Sequence, residues 1–372
     1  LLRSGPPAEP SSPEFAQRIA GVGETFAQAN VVAVYCIHGT FCGNDPLGLL
    51  TELSGMAPRL SESLRRASKG IVDFFLGETG NYTPHYVERA ERLLSAGAPR
   101  PIDVRLFHWS SLNHHIGRAD GAVRLIDDLA RRASDWVSST DVRPRVQLWG
   151  HSHGGNVMAL ASNLLGAKAE ARAEFFHAAR SFYRRGDGRR VDMPAWARVE
   201  SLLAEPDHPV RSIKLDMVTY GMPVRYGWDP GGYAKLLHIV NHRPAADRAP
   251  HTAKYPPHFW RTLTGSGGDL MQHVGIAGTN FMPLPLAVRT WLADRRLGQL
   301  LQGQVEPRWL RSRLNLGVRV PEEGRTLLID YDDPAWFPLS HFVGHAHYTR
   351  SRWLPLHCEQ IAAHFYPEEN KG

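Results

Sequence analysis

Arg145 to Gly155, RVQLWGHSHGG, constrains what this chain can fold into more than any other stretch. A short apolar run of Val146, Leu148 and Trp149 stops abruptly at Gly150-His151-Ser152-His153-Gly154. Small-residue helical character follows at once in Asn156-Val157-Met158-Ala159-Leu160-Ala161. The pattern is that of a sharp strand-to-helix turn with a serine at its apex. Glycines two before and two after Ser152 have a mechanical reason, because side chains there would collide with the neighbouring strand and helix. Strain in the serine backbone leaves Oγ exposed above the sheet edge, and the new helix points its N-terminal amides at the same place.

The strands around this turn define the fold class. Val31 to Ile37 (VVAVYCI) is a continuous apolar run, as a strand buried on both faces of a parallel sheet should be, and it ends in His38-Gly39-Thr40-Phe41. Ile102 to Phe107, Val146 to Trp149, Ile213 to Tyr220, Leu236 to Val240 and Thr326 to Ile329 follow. Helical spacing falls between them, over about 47–68, 84–95, 117–133, 283–315 and 351–365. No two strands are close enough for a hairpin. The expectation is α/β, a mostly parallel doubly wound sheet of about six strands.

At 372 residues the chain suits one elaborated domain over 16–372, preceded by a Pro- and Ser-rich arm over 1–15 that reads as flexible. Residues 167–211 form a helical insertion with Phe175, Phe176, Phe182 and Tyr183 in one piece and Trp196, Val199, Leu202 and Leu203 in another. Such an insertion suits a cap or lid over an apolar substrate, or a small core of its own. The net charge of +6 comes mostly from arginine, and no basic tract alternates with stacking aromatics, which argues against nucleic acid. Arg184, Arg185, Arg189 and Arg190 around a Gly-Asp-Gly turn read as a solvated loop. Cys36, Cys42 and Cys358 make no disulfide framework, and Cys36 reads as a small buried hydrophobe. No apolar run is long enough to span a bilayer. A cytoplasmic protein is the expectation, with secretion open because the chain begins at Leu1 and so reads as trimmed.

The stretches AVYCIHGTF (33–41), FHWSSLNHHIGRAD (107–120), GHSHGGNV (150–157) and VTYGMP (218–223) together resemble the α/β-hydrolase family. Within it the chain is similar to bacterial serine lipases and esterases that begin at the third strand of the standard fold. The resemblance spans about residues 30–365 and implies a carboxylic ester hydrolase working through an acyl-enzyme, with no cofactor and no metal. It implies Ser152 as nucleophile, then an acid, then a histidine, in that chain order. His345 in SHFVGHAHYTR is the preferred base, because a Gly-His turn followed three residues later by an aromatic resembles the histidine loop of many hydrolases. His341 and His347 are its alternatives. The acid should follow the strand Leu236 to Val240; Asp269, in the glycine-rich GSGGDLMQHVG, is preferred over Asp247 and Asp229. Asp332 and Asp333 come too late for that order. Backbone amides of Thr40, with Phe41 as its neighbour, and His153 are implied as oxyanion donors. Phe41 and Trp109 are implied at the substrate.

The implied partner is an apolar small-molecule ester or lipid, and peripheral contact with a lipid interface is compatible with it. The same triad serves phospholipases and amide or thioester hydrolases, and a silent hydrolase-fold scaffold is the rival from outside enzymology. The cluster of histidines over 341–347 also invites a metal reading, but His345 and His347 in an extended loop point to opposite sides, and no cysteine or carboxylate completes a set nearby.

Overall fold

Side chains alternate between two cores along each central strand. In β2 (Val31–Ile37), Ala33, Tyr35 and Ile37 enter one buried cluster while Val34 and Cys36 enter another. In β4 (Arg145–His151), Val146 and Leu148 face the first and Trp149 the second. A strand covered on both faces has no polar side, which is why these runs read as unbroken hydrophobes. The computed structural model describes residues 1–40, 80–186, 188–242, 268–269, 271–272, 280, 283, 287–302, 321–332 and 344–367. Phe41, Cys42, the helix expected over 47–68, Asp247 and His341 lie outside the described residues.

Among the described residues, seven strands form one all-parallel sheet. Besides β2 and β4 these are β1 (Leu2–Arg3), β3 (Asp103–Phe107), β7 (Lys214–Tyr220), β8 (Lys235–Asn241) and β9 (Arg325–Asp330). The order across the sheet is β1-β9-β8-β7-β4-β2-β3. One face is covered by α1 (Pro13–Gln28), α2 (Pro84–Ala96) and α8 (Leu354–Phe365), whose apolar residues share the second cluster. The other face carries α3 (His115–Ser138), α4 (His153–Gly166), α5 (Ala169–Tyr183), α6 (Pro194–Ala204) and α7 (Val288–Gln302). The α/β class is as expected and the arrangement is compatible with a doubly wound fold, with seven strands, β1 included, where about six were expected. Because every strand runs the same way, the loops that follow β4, β8 and β9 leave from one edge.

Two segments depart from expectation. The stretch read as a loose arm is tied down. Leu2 and Arg3 pair with Ile329 and Asp330, Ser4 N–H donates to the Asp330 carbonyl (3.0 Å), and Ser4 Oγ accepts from Asp332 N–H (2.8 Å). Helix α1, not among the expected helices, starts at an N-cap: Ser12 Oγ accepts from Phe15 N–H (3.1 Å), with Pro13 at the first turn. Its Phe15, Ile19, Val22 and Phe26 recur at helical spacing and are all buried.

The insertion is the second departure. Between α5 and α6 lies a short antiparallel ladder of β5 (Arg184–Arg185) and β6 (Arg190–Val191). The aromatic rings close on Trp196: Tyr183 stacks at 5.2 Å, Phe175 at 5.9 Å, and Phe176 and Phe182 meet it edge-on. The Trp196 indole N–H donates to Asp120 Oδ1 on α3 (2.8 Å), and Arg198 forks onto Asp127 (2.9 and 2.7 Å). These rings are buried against the sheet-covering helices, so they offer no apolar lid surface. The basic turn is also paired, Arg184 to Glu200 (2.8 Å) and Arg185 to Asp192 (2.5 Å). Cys36 and Cys358 are free, buried thiols. No described helix is long and apolar enough to cross a membrane.

The glycines of the serine turn make a stability prediction. A Cβ on Gly154 would lie 2.4 Å from the Ile37 carbonyl oxygen, which is backbone and cannot yield. Gly154→Ala should cost about 3 kcal/mol or more in urea unfolding. Gly21→Ala, within α1 and with nothing inside 4 Å, should instead gain roughly 0.5–1 kcal/mol.

Candidate active site

Ser152 stands between β4 and α4 with φ 53 and ψ −128, one of three non-glycine residues with positive φ among the described residues. Such a conformation costs about 1–3 kcal/mol and persists only where the surroundings over-determine it. Here they do. Ser152 N–H donates to the Tyr220 carbonyl at the end of β7 (2.8 Å), and its own carbonyl accepts from Gly155 N–H (3.0 Å). A Cβ on Gly150 would strike Met158 Sδ at 2.5 Å, and one on Gly155 would meet Met222 at 2.7 Å. On the far side, a Cβ on Gly39 would fall 2.7 Å from Ser152 Cβ and 3.3 Å from its Oγ. The His38-Gly39-Thr40 segment therefore presses directly on the serine, which remains half-buried rather than sealed.

Asp269 follows β8 and His345 follows β9. Their side chains meet, with His345 Nδ1 2.6 Å from Asp269 Oδ2. A carboxylate only accepts, so Nδ1 is the donor in this bond and Nε2 is the ring's other nitrogen. Asp269 is fully buried and the His345 side chain is 12% exposed. The carboxylate also accepts Gln272 N–H at Oδ1 (2.9 Å) and the Tyr348 hydroxyl at Oδ2 (3.1 Å). Asn241, at the end of β8, links the two loops. Its N–H donates to Tyr348 Oη (2.6 Å), its Nδ2 to the Gly344 carbonyl (2.9 Å), and its carbonyl accepts from Asp269 N–H (3.3 Å).

His151 ties this pair to the serine turn. Its ring centroid lies 4.5 Å from that of His345, and its Nε2–H donates to the His345 carbonyl (3.0 Å). Burial, reinforced by the neighbouring His345, lowers its pKa from 6.5 to about 3, so it stays a neutral donor. Beyond the turn, His153 Nδ1 accepts from Asn156 Nδ2 (3.2 Å), and burial followed by Arg118 and Arg225 holds this imidazole neutral too. Arg118 is fully buried. It donates to Tyr226 Oη (2.9 Å), Asn113 Oδ1 (2.8 Å) and Asn280 Oδ1 (2.6 Å), all neutral oxygens. Among the described residues its hydrogen-bond partners are thus neutral dipoles, and its charge, with that of Arg225, acts on His153 at the N-terminus of α4.

The remaining sequence candidates fall as follows. His153 opens α4, and Thr40 follows Gly39, whose Cβ position would lie 2.7 Å from Ser152 Cβ. Trp109, expected at the substrate, is 1% exposed; it stacks on His38 (5.8 Å) and its indole N–H donates to the His38 carbonyl (2.9 Å). These contacts hold the loop after β2. Asp229 is far from His345 in role, since its Oδ1 caps a short turn through Gly231 N–H (2.8 Å). His347 is buried with its ring stacked on Tyr331 at 5.3 Å. Sequence reasoning gave no role to Asn241, Gln272, Tyr348 or His151, although Tyr348 is the aromatic three places after His345 that drew attention to that histidine. Among the described residues, no group of three His, Cys, Asp or Glu side chains could hold a metal ion. In comparison with known proteins, the chain matches no family model, no curated protein and no solved structure.

Buried neutral imidazoles make the acid side of the stability curve predictable. His151 and His357 lie near 3 and His238 near 4, all below the ordinary 6.5, with burial the largest cause. The unfolded chain therefore binds more protons below 6.5. Stability is fully present above that value and is lost as the pH falls toward 4, by about 1.4 kcal/mol per pH unit for each such group. Urea midpoints measured from pH 7 to pH 4.5 should fall steadily, and His151→Gln should flatten the slope.

Proposed function

We propose that the protein is a serine hydrolase of carboxylic esters, with an α/β-hydrolase architecture. Ser152 attacks the acyl carbon, His345 Nε2 takes its proton and later delivers it to the leaving oxygen, and Asp269 fixes the ring tautomer. The 2.6 Å contact between Asp269 and His345 carries this reading. It joins residues 76 positions apart. It also leaves the basic nitrogen on the histidine that packs against His151, next to Ser152 in the chain. The order serine, carboxylate, histidine along the chain, after β4, β8 and β9, is that of the α/β-hydrolase family and adds support.

The oxyanion that forms in acyl transfer is received by the N–H groups of His153 and Thr40. The helix N-terminus and the dipole-solvated Arg118 favour negative charge there, so the developing charge meets donors that need no rearrangement. Apolar esters are the substrates this reading favours.

Incubation with an alkyl fluorophosphonate followed by peptide mapping should place the adduct on Ser152. Turnover of p-nitrophenyl esters should vanish in Ser152→Ala and drop about 10³-fold or more in kcat for Asp269→Asn, with KM little changed. A series from acetate to palmitate then reads the acyl preference. An unlabelled Ser152 in folded protein, or hydrolysis that survives Ser152→Ala, defeats the proposal.

A further inference from the structure

At the sheet edge opposite Ser152 lies a cavity of about 410 Å³, within the size range of small-molecule sites. Strand β4 runs from Arg145 near this cavity to His151 at the serine turn, so the two places are roughly 20 Å apart at about 3.3 Å per residue. Three cations line the cavity: Arg143, Arg211 and Lys214. No carboxylate is among its lining residues. Arg143 is fixed across it, its Nη2 donating to the carbonyls of Arg211 and Ile213. Leu165, Val210, Ile213 and Leu215 supply an apolar wall.

His208 is the second, independent observation. It also lines the cavity, is 2% exposed, and neither ring nitrogen has a hydrogen-bond partner among the described residues. A buried polar group without a partner is costly, and native proteins seldom keep one without a use. Burial, then Arg211, then Arg172 lower its pKa to about 4, so at neutral pH it offers one N–H donor and one acceptor. Among the described residues, the charged groups that line the cavity with it or act on its ring are cationic: Arg211 from the turn before β7, Lys214 at the start of β7, Arg143 before β4 and Arg172 on α5.

We propose that this cavity binds a small organic phosphate monoester. A phosphate group carries close to two negative charges at neutral pH and several acceptor oxygens, which suits convergent cations together with the imidazole N–H. The aliphatic wall takes the organic body. The inference stands apart from the chemistry assigned to Ser152 and survives its failure.

Calorimetric titration of the full chain with phenyl phosphate tests it, alongside inorganic phosphate and vesicles of phosphatidate or phosphatidylcholine. Phenyl phosphate should bind saturably, at least about tenfold tighter than inorganic phosphate, and should weaken as salt rises. Arg211→Gln and Lys214→Gln alter exposed or half-exposed side chains and should each weaken binding about fivefold or more without lowering Tm. The imidazole resonances of His208 should shift during the titration, an assignment checked with His208→Gln. Absence of saturable binding, binding unchanged in the Arg211→Gln/Lys214→Gln double variant, an unmoved His208 signal, or binding to phosphatidate vesicles alone would each overturn it.

Discussion

A serine held at positive φ is the constraint on which the rest of this molecule depends. The conformation is unfavourable for any side chain, and what offsets it is close packing on every side of the turn. Gly150, Gly154 and Gly155 let α4 begin in contact with β2, β4 and the Met222 segment, and Gly39 lets the loop after β2 reach Ser152 itself. A residue with a side chain at Gly39, Gly150 or Gly154 would push apart strand, helix and loop together. Tertiary packing thus enforces a backbone state that local preference would reject, and the product is a hydroxyl at the exit edge of the sheet.

That edge collects Asp269 and His345 because all strands of the seven-stranded sheet run in one direction. β8 and β9 are neighbours, so the segments leaving them emerge side by side, and Asn241 fastens both with its backbone and its amide. Tyr348 then bridges Asn241 and Asp269 through one hydroxyl. The aspartate accepts bonds from Gln272, His345 and Tyr348, so its geometry is set by several partners rather than by the histidine alone. His151 completes the circuit from the histidine loop back to the serine turn. Support for the pair is therefore local, polar and buried, which is the condition under which hydrogen bonds fix geometry well.

How much of this was legible depends on which force wrote each feature. The central strands β2, β4, β7 and β8 were readable because they are buried almost throughout, and Ser152 because its turn demands glycine at set places. Asp269 stood out through its glycine-rich surroundings, and Gly268 indeed has φ 91, a conformation few other residues adopt. Helix α1 is announced by Ser12, Pro13 and the spacing of Phe15, Ile19, Val22 and Phe26, but the prolines at 6, 7 and 10 give its start the composition of a loose arm. Trp109 was expected at the substrate, and the insertion aromatics left a lid and a small core equally open, because large rings look alike in sequence whether they meet a ligand or one another. Their partners, His38 and Trp196, lie at separations that no local pattern records. The arginines escaped notice for the same reason: Arg118 becomes unusual only when its neighbours prove neutral.

The short strand β1 adds a temporal dimension. β2, β3 and β4 are consecutive in the chain and adjacent or nearly so in the sheet, so the half bearing Ser152 can assemble from contacts of modest sequence separation. The other half finishes only when Leu2 meets Ile329 and Ser4 meets Asp330 and Asp332. Closing so long a loop is slow by its nature. A nascent chain would then carry a formed serine turn well before His345 arrives beside Asp269.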